Sequence, residues 1–331
     1  MIQERSIELN KKPLLEVENL TVCFKTEEGT VEVTDHVSFE IMPGEIFGLV
    51  GESGCGKTVT ALALLKLLPA PIAGIAAGRV MLQGTDILSL PPEKMRHVRG
   101  KAISMIFQEP AAALNPLLNV KSQLMECFDY HPFAGDKERR VRELLQRVGF
   151  PDPQRIFASF PHELSGGMLQ RVMIAMALIM RPELIIADEP TTALDVTVQA
   201  QIMELLVEMQ KELKTSILLI THNLNLIAQY ANRLAVMYAG RIVEKSDLDT
   251  FLQNPLHPYS HGLLNALPDL NAEQPQLKAI PGQVPQPKDY EPGCRFRERC
   301  TRAFERCIHK PDLLRVNTAQ EVACFLYTKE T

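Results

Sequence analysis

No stretch of this 331-residue chain is long and apolar enough to cross a bilayer: the longest candidate, Ala61 to Gly78, is cut by Lys66, Pro69 and Pro71. The start, Met1 to Lys12, is polar and carries no apolar signal segment, which points to a cytosolic chain that reaches a membrane only through a partner. There is no basic run and the formal net charge is −5, so nothing recommends nucleic acid as a partner. Internal repeats are absent, and so are the tight C-x₂-C pairs of common zinc ribbons. What is present, 46% hydrophobic and 23% charged residues, describes a globular protein with a sizeable core and room for two domains.

Against that background one stretch stands out. Gly51-Glu52-Ser53-Gly54-Cys55-Gly56-Lys57-Thr58 satisfies G-x-x-x-x-G-K-[ST] at every constrained position. Ile46, Phe47, Leu49 and Val50 read as a buried strand feeding it, and Val59 to Leu68 as the helix leaving it. Strand, loop and helix in that order form a phosphate-binding loop. Glycines let successive backbone N–H groups turn toward one point, the helix N-terminus adds partial positive charge, Lys57 can reach terminal phosphates and Thr58 can offer a hydroxyl to Mg²⁺. Cys55, inside the loop, is expected to have its thiolate favoured by the helix N-terminus and Lys57, and so to be alkylated unless nucleotide protects it.

Kinases, GTPases, helicases and transport ATPases share such a loop, so other segments must discriminate. Leu184 to Glu189 is an apolar run ending in two carboxylates, the pattern of a buried parallel strand that delivers acids at its carboxyl end, where α/β folds bind ligands. Asp188 is the candidate Mg²⁺-side carboxylate, and Glu189 the candidate general base that polarises the attacking water. Between loop and strand lies Leu164-Ser165-Gly166-Gly167-Met168-Leu169-Gln170-Arg171, followed by the apolar helix Val172 to Met180.

Here the sequence resembles the ATP-binding cassette (ABC) ATPases. Their signature, usually LSGGQ, opens a helix, and Ser165, Gly166 and Gly167 match it; Met168 departs from the usual Gln but leaves the glycine donors and helix end intact. The resemblance implies that the signature faces the γ-phosphate held by an opposite subunit. It also assigns Gln108, after the strand-like Ala102 to Phe107, to the Q-loop that contacts Mg²⁺ or water and senses a membrane partner. Thr192-Ala193-Leu194-Asp195 matches the D-loop, whose aspartate, Asp195, organises the subunit interface. His222, ending the strand Ile217 to Thr221, matches the switch histidine that bonds the γ-phosphate, with Asn223 replacing the common Asp. Phe24, ending the alternating segment Leu15 to Phe24, matches the aromatic residue that stacks on adenine; the plainer alternative is a core aromatic.

The fold implied is α/β: an ABC ATPase core with a phosphate loop, an antiparallel β subdomain (Leu15 to Phe24, Thr30 to Ile41, Arg79 to Gln83), a helical insert at about 112–180, and a small cysteine-containing C-terminal domain. The segment boundaries are expected at 1–12 for an N-terminal tail, 13–255 for the nucleotide-binding domain and 256–331 for the C-terminal domain. Leu234 to Tyr238 and Arg241 to Glu244, joined by Ala239-Gly240, read as a hairpin closing the cassette. Pro268 to Pro292, rich in Pro, Gln and Asp, reads as an extended linker that keeps the tail away from Lys57, Asp188 and Glu189.

Cys294, Cys300, Cys307 and Cys324 place four of the seven cysteines in that tail. A cytosolic chain argues against structural disulfides, leaving metal ligation or four reduced thiols in a small fold. The tail resembles the C-terminal domain of oligopeptide, dipeptide and nickel importer ATPases, as do His257-Pro258-Tyr259, Ile280-Pro281-Gly282 and Gly293-Cys294-Arg295-Phe296 up to Arg299-Cys300. In that branch such a tail can hold a [4Fe–4S] cluster, for which four thiolates are the ligand set. The resemblance therefore implies an ATP- and Mg²⁺-dependent hydrolase that powers import of di- or oligopeptides, with nickel or metal-chelate import as the alternative and a soluble, non-transport ABC ATPase as a more distant one. Its expected partners are a second ATPase subunit, identical or related, two integral-membrane permease subunits and an extracytoplasmic solute-binding protein, which would hold it peripherally at the cytoplasmic face of the membrane.

Overall fold

The computed structural model describes residues 12–192, 194–266 and 280–328. The expected N-terminal tail, apart from Lys12, and the first half of the expected linker lie outside them. Twelve strands occur among the described residues: β1 (Leu15–Thr26), β2 (Gly29–Ile41), β3 (Ile46–Val50), β4 (Ala73–Leu82), β5 (Thr85–Asp86), β6 (Ile103–Ile106), β7 (Leu184–Asp188), β8 (Ser216–Thr221), β9 (Arg233–Tyr238), β10 (Arg241–Asp247), β11 (Leu314–Arg315) and β12 (Gln320–Val322). They form two sheets, an antiparallel one ordered β2-β1-β4-β5 and a mixed one ordered β11-β12-β10-β9-β3-β8-β7-β6.

The larger sheet is parallel from β9 through β3, β8 and β7 to β6. Its central strands are buried on both faces, which explains their unbroken apolar runs. Alternate residues feed two separate cores. Ile46, Val50, Ile185, Ala187, Ile217 and Leu219 point into one core with the helices between β6 and β7, whereas Phe47, Leu49, Leu184, Ile186, Leu218 and Ile220 join the antiparallel sheet in the other. Fully burying each of these Ile, Leu, Val and Phe side chains is worth about 1.5–3 kcal/mol, so the loops at the strand ends hang from a stiff platform.

The helical segment between β6 and β7 consists of five α-helices from Pro110–Ala113 to Gly166–Leu178. The helix after the phosphate loop, Lys57–Leu64, is shorter than Val59 to Leu68: Lys66 already takes a left-handed φ of 52° and Pro69 follows. The β9–β10 hairpin turns through Ala239 (φ 45°) and Gly240 (φ 80°), both left-handed as a two-residue primed turn demands.

The tail departs from the sequence expectation. Rather than standing apart behind a linker, it extends the cassette's own sheet: β12 pairs antiparallel with β10, Glu244 opposite Val322, and β11 adds beyond it. Ile280, Val284 and Tyr290, in the second half of the expected linker, pack against the main core. Phe296 is buried among Tyr238 (ring centroids 5.1 Å apart), Tyr259 (5.4 Å) and His257 (5.7 Å). Asp35 of β2 gathers the guanidinium of Arg241 (2.7 Å) with two cations of the tail, Arg295 (3.3 Å) and Lys310 (2.9 Å).

The four tail cysteines are free thiols. Among the described residues no group of three or more His, Cys, Asp or Glu side chains is arranged to hold a metal ion, which overturns the iron–sulfur expectation for Cys294, Cys300, Cys307 and Cys324. The local chemistry agrees with the correction. Burial raises the Cys294 thiol to about 11 and pushes Cys300 and Cys324 up as well, so these are protonated, packed thiols here. Packing of Phe296 and the Asp35 ion cluster hold this segment on the cassette.

Candidate active site

Four neighbouring parallel strands, in the order β3-β8-β7-β6, end on one edge of the sheet. The residues that follow them are the sequence candidates: Gly51–Thr58 after β3, His222 after β8, Asp188 and Glu189 at the end of β7, and Gln108 just after β6. Carboxyl ends of parallel strands, beside helices starting from them, are where an α/β sheet gathers ligand-binding loops.

The loop is shaped by its glycines. Gly54 and Gly56 take φ of 81° and 105°, and a Cβ on Gly51 would fall on the carbonyl oxygen of Met237. Gly56 is the N-cap of the helix Lys57–Leu64. Lys57 is 4% exposed, and its ammonium donates to the carbonyls of Gly51 (2.8 Å) and Glu52 (3.0 Å). Among the described residues no carboxylate lies within ion-pair distance of it, so its buried positive charge faces the loop held only by neutral groups, the setting an incoming phosphate completes. Ser53, Gly54 and Thr58 are exposed on the same loop. Cys55 differs from expectation: it is fully buried, and burial raises its thiol despite the neighbouring Lys57. It is packing inside the loop, not a reactive thiolate.

Thr58 Oγ1 donates to Asp188 Oδ1 at 3.2 Å. Asp188 is 2% exposed, and burial, with the Glu189 charge beside it, raises its carboxyl to about 6 against the opposing influence of Thr58 and Lys57. A hydroxyl and a desolvated carboxylate are hard oxygen donors suited to Mg²⁺, and a cation there would favour the ionised form of Asp188, so these residues fit the metal.

Glu189 is the hub. Its Oε1 lies 3.0 Å from His222 Nδ1, and its Oε2 accepts from Thr192 Oγ1 at 2.8 Å and Gln108 Nε2 at 3.3 Å. Burial pushes its carboxyl up, but bonding to His222 and Thr192 outweighs that and leaves it lowered, hence ionised at neutral pH. Its backbone is left-handed, φ 45°, held by its N–H donating to Ile220 O at 2.8 Å. A non-glycine in that region costs about 1–3 kcal/mol and marks a constrained site. Thr192 was visible in the sequence only as part of the D-loop match; its bond to Glu189 follows from the turn that packs it back.

Not every candidate joins this cluster. Ser165 caps the helix Gly166–Leu178, its hydroxyl accepting from Met168 N–H at 3.4 Å, and a Cβ on Gly166 or Gly167 would meet Leu194 or Val198. Among the described residues no hydrogen bond links Ser165–Gly167 to Gly51–Thr58. Asp195 is exposed and caps the helix Val196–Leu213 through Val198 N–H at 2.9 Å. Asn223 likewise caps Leu224–Tyr230, performing the capping that an Asp would. Phe24 sits on β1 between Val31 and Ala73, half-buried against the antiparallel-sheet core.

Fold and site together define a phosphate-loop nucleotide-binding protein with two carboxylates, a glutamine and a histidine at the strand ends. A family profile described as "ABC transporter" matches residues 34–192, and one described as "Oligopeptide/dipeptide transporter, C-terminal region" matches 243–307. The oligopeptide transport ATP-binding protein AppD of Bacillus subtilis is 45% identical over 96% of this chain and 98% of its own length. OppD of Haemophilus influenzae, also an oligopeptide transport ATP-binding protein, is 44% identical over 95% and 97%. Among solved structures, the dimeric cassette MJ0796 in a post-hydrolysis state with ADP and Pi superposes with a TM-score of 0.62 at 28% identity, covering 71% of this chain and 98% of that one. The chain belongs to the ABC transporter ATP-binding proteins, in the branch that carries the oligopeptide/dipeptide C-terminal region.

Proposed function

We propose that this chain is the ATP-hydrolysing subunit that powers an importer of di- or oligopeptides. One observation carries the chemistry: Gln108, Thr192 and His222 converge on Glu189 beside a loop whose buried Lys57 bonds only to backbone carbonyls and the Cys55 sulfur among the described residues. Gly51 to Thr58 would hold the phosphates of ATP. Thr58 and Asp188, with Gln108, would hold Mg²⁺, which when bound spreads charge off the phosphate oxygens. Glu189, kept ionised, accepts the proton of the attacking water, and His222 and Thr192 orient its two oxygens. Phe24 is assigned to adenine. Ser165 to Gly167 and Asp195 lie apart from the chain's own loop, which supports a working unit of two ATPase subunits, each signature completing the other's nucleotide site.

The peptide assignment rests on the relatives, which are named as peptide transport ATP-binding proteins, and on the tail profile. No helix among the described residues is long and apolar enough to cross a membrane, so transport requires separate permease subunits, which would hold this chain at the cytoplasmic face; a solute-binding protein would deliver the peptide. The test is co-purification of the tagged chain with polytopic membrane subunits, followed by ATP hydrolysis in reconstituted vesicles. Hydrolysis stimulated by peptide and its binding protein is expected. A chain that hydrolyses ATP without any membrane partner or peptide response would overturn the importer assignment.

A further inference from the structure

Glu52, the second residue of the phosphate-binding loop, is gripped from 247 residues away in sequence. Arg299 makes a bidentate pair with its carboxylate, Nη1 to Oε2 at 2.7 Å and Nη2 to Oε1 at 3.0 Å. The Glu52 backbone N–H donates to Tyr259 Oη at 2.9 Å. Both partners are anchored by the C-terminal segment. Arg299 is only 6% exposed in its side chain; its Nε donates to Pro281 O at 2.7 Å and its Nη2 to Ile280 O at 3.3 Å, so every guanidinium nitrogen is engaged. Tyr259 is fully buried, its ring against Tyr238 and Phe296.

These contacts fix the loop at both ends of one residue. The Glu52 carbonyl accepts from Lys57 Nζ at 3.0 Å, so the tail, Glu52 and the phosphate-reaching ammonium form one connected chain of bonds. Because Tyr259 takes the Glu52 N–H, that donor is turned away from the anion cradle, and the path of the loop from Gly51 to Ser53 is set by a side chain outside it. A bidentate arginine gives geometry as well as charge, which a lysine cannot reproduce.

From this we infer that Arg299 and Tyr259 are positioning residues for the nucleotide site: the C-terminal segment presets the phosphate-binding loop and thereby sets the affinity for ATP. The inference rests on the reading of Gly51 to Thr58 as the ATP site. It also assigns the tail a role in the cassette itself, in place of the independence that the linker composition suggests.

The test is titration of the full-length chain and its variants with a fluorescent trinitrophenyl-ATP, with competition by MgATP, alongside thermal unfolding. Arg299→Met is expected to weaken MgATP by about tenfold, Arg299→Lys by less, and Tyr259→Phe, which keeps the packed ring and deletes the hydroxyl that holds Glu52, by several-fold. Pairing Arg299→Met with Glu52→Gln should weaken binding no further than the stronger single change, since both break one interaction. Arg306→Met, which removes a tail contact over Phe325 remote from the loop, should leave Kd within about twofold. Wild-type Kd in Arg299→Met and Tyr259→Phe, additive effects in the double variant, or an equal loss in Arg306→Met would each overturn the inference while leaving the ATP site intact. A wild-type chain that does not bind MgATP would instead overturn the reading of the site and this inference with it.

Discussion

Replacing Glu189 by Gln removes a charge and preserves a shape. In the native site Oε2 accepts from Thr192 and Gln108 while Oε1 faces His222 Nδ1. A glutamine can keep its carbonyl oxygen toward Thr192 and Gln108 and turn its amide toward His222, whose Nδ1 accepts in the neutral tautomer with the proton on Nε2. The left-handed backbone at this position is no harder for Gln than for Glu, and neither Lys57 nor Thr58 bonds to the Glu189 side chain, so folding and nucleotide binding should survive. The proton acceptor does not. A positioned general base contributes about 10²–10⁴-fold, so phosphate release should fall by at least about 10²-fold. The assay is single-turnover release of inorganic phosphate from MgATP in the intact transport complex, with Kd for ATP measured on the same preparation. Turnover within a few-fold of wild type, with normal binding, would refute the assignment of Glu189 as the base.

Cys55, buried and raised, should resist iodoacetamide in the folded chain with or without MgATP; stoichiometric labelling at Cys55 itself, located by peptide mass mapping, would contradict its burial. His257 is enclosed, with His261 nearby and Glu244 accepting its backbone N–H, and burial lowers its imidazole from 6.5 to about 3. Unfolding lets it take a proton that the folded state refuses, so its contribution is nil above 6.5 and costs about 1.4 kcal/mol per pH unit as pH falls toward 3. Denaturant titrations should show that slope reduced in His257→Asn, which keeps a cap acceptor for Tyr259 N–H; an unchanged slope would place the acid sensitivity elsewhere. Asp35→Asn strands the buried Arg295 beside Arg241 and Lys310, and losing one partner of a buried pair costs about 3–5 kcal/mol. Limited proteolysis should then cut the C-terminal segment, and a tail as resistant as wild type would show that Phe296 packing alone holds it.

Much of the site was readable along the chain because its pieces are local. A phosphate loop is eight consecutive residues, a carboxylate pair ends one apolar run, and a histidine ends another; each needs only its own strand to be placed. The tail was misread for the opposite reason. Cysteine spacing looks like a ligand set in one dimension, yet ligation needs three or more donors converging on a point, and no such group forms among the described residues. Likewise Cys55 seemed activated by Lys57 until its depth in the loop made desolvation the larger effect.

The class of chemistry is written along the chain, since Lys57, Thr58, Asp188, Glu189, Gln108 and His222 each end or follow an apolar run of strand length, and strand ends are where such a fold places its reactive groups. How they join depends on the packing of distant segments. Only the strand order β3-β8-β7-β6 brings residues 81 and 33 positions from Glu189 onto its two oxygens. Only the packing of Phe296 against Tyr238 and Tyr259 carries Arg299 back to Glu52. Contacts at such separation depend on which strands become neighbours and which faces bury together, and no local pattern of residue types encodes that choice.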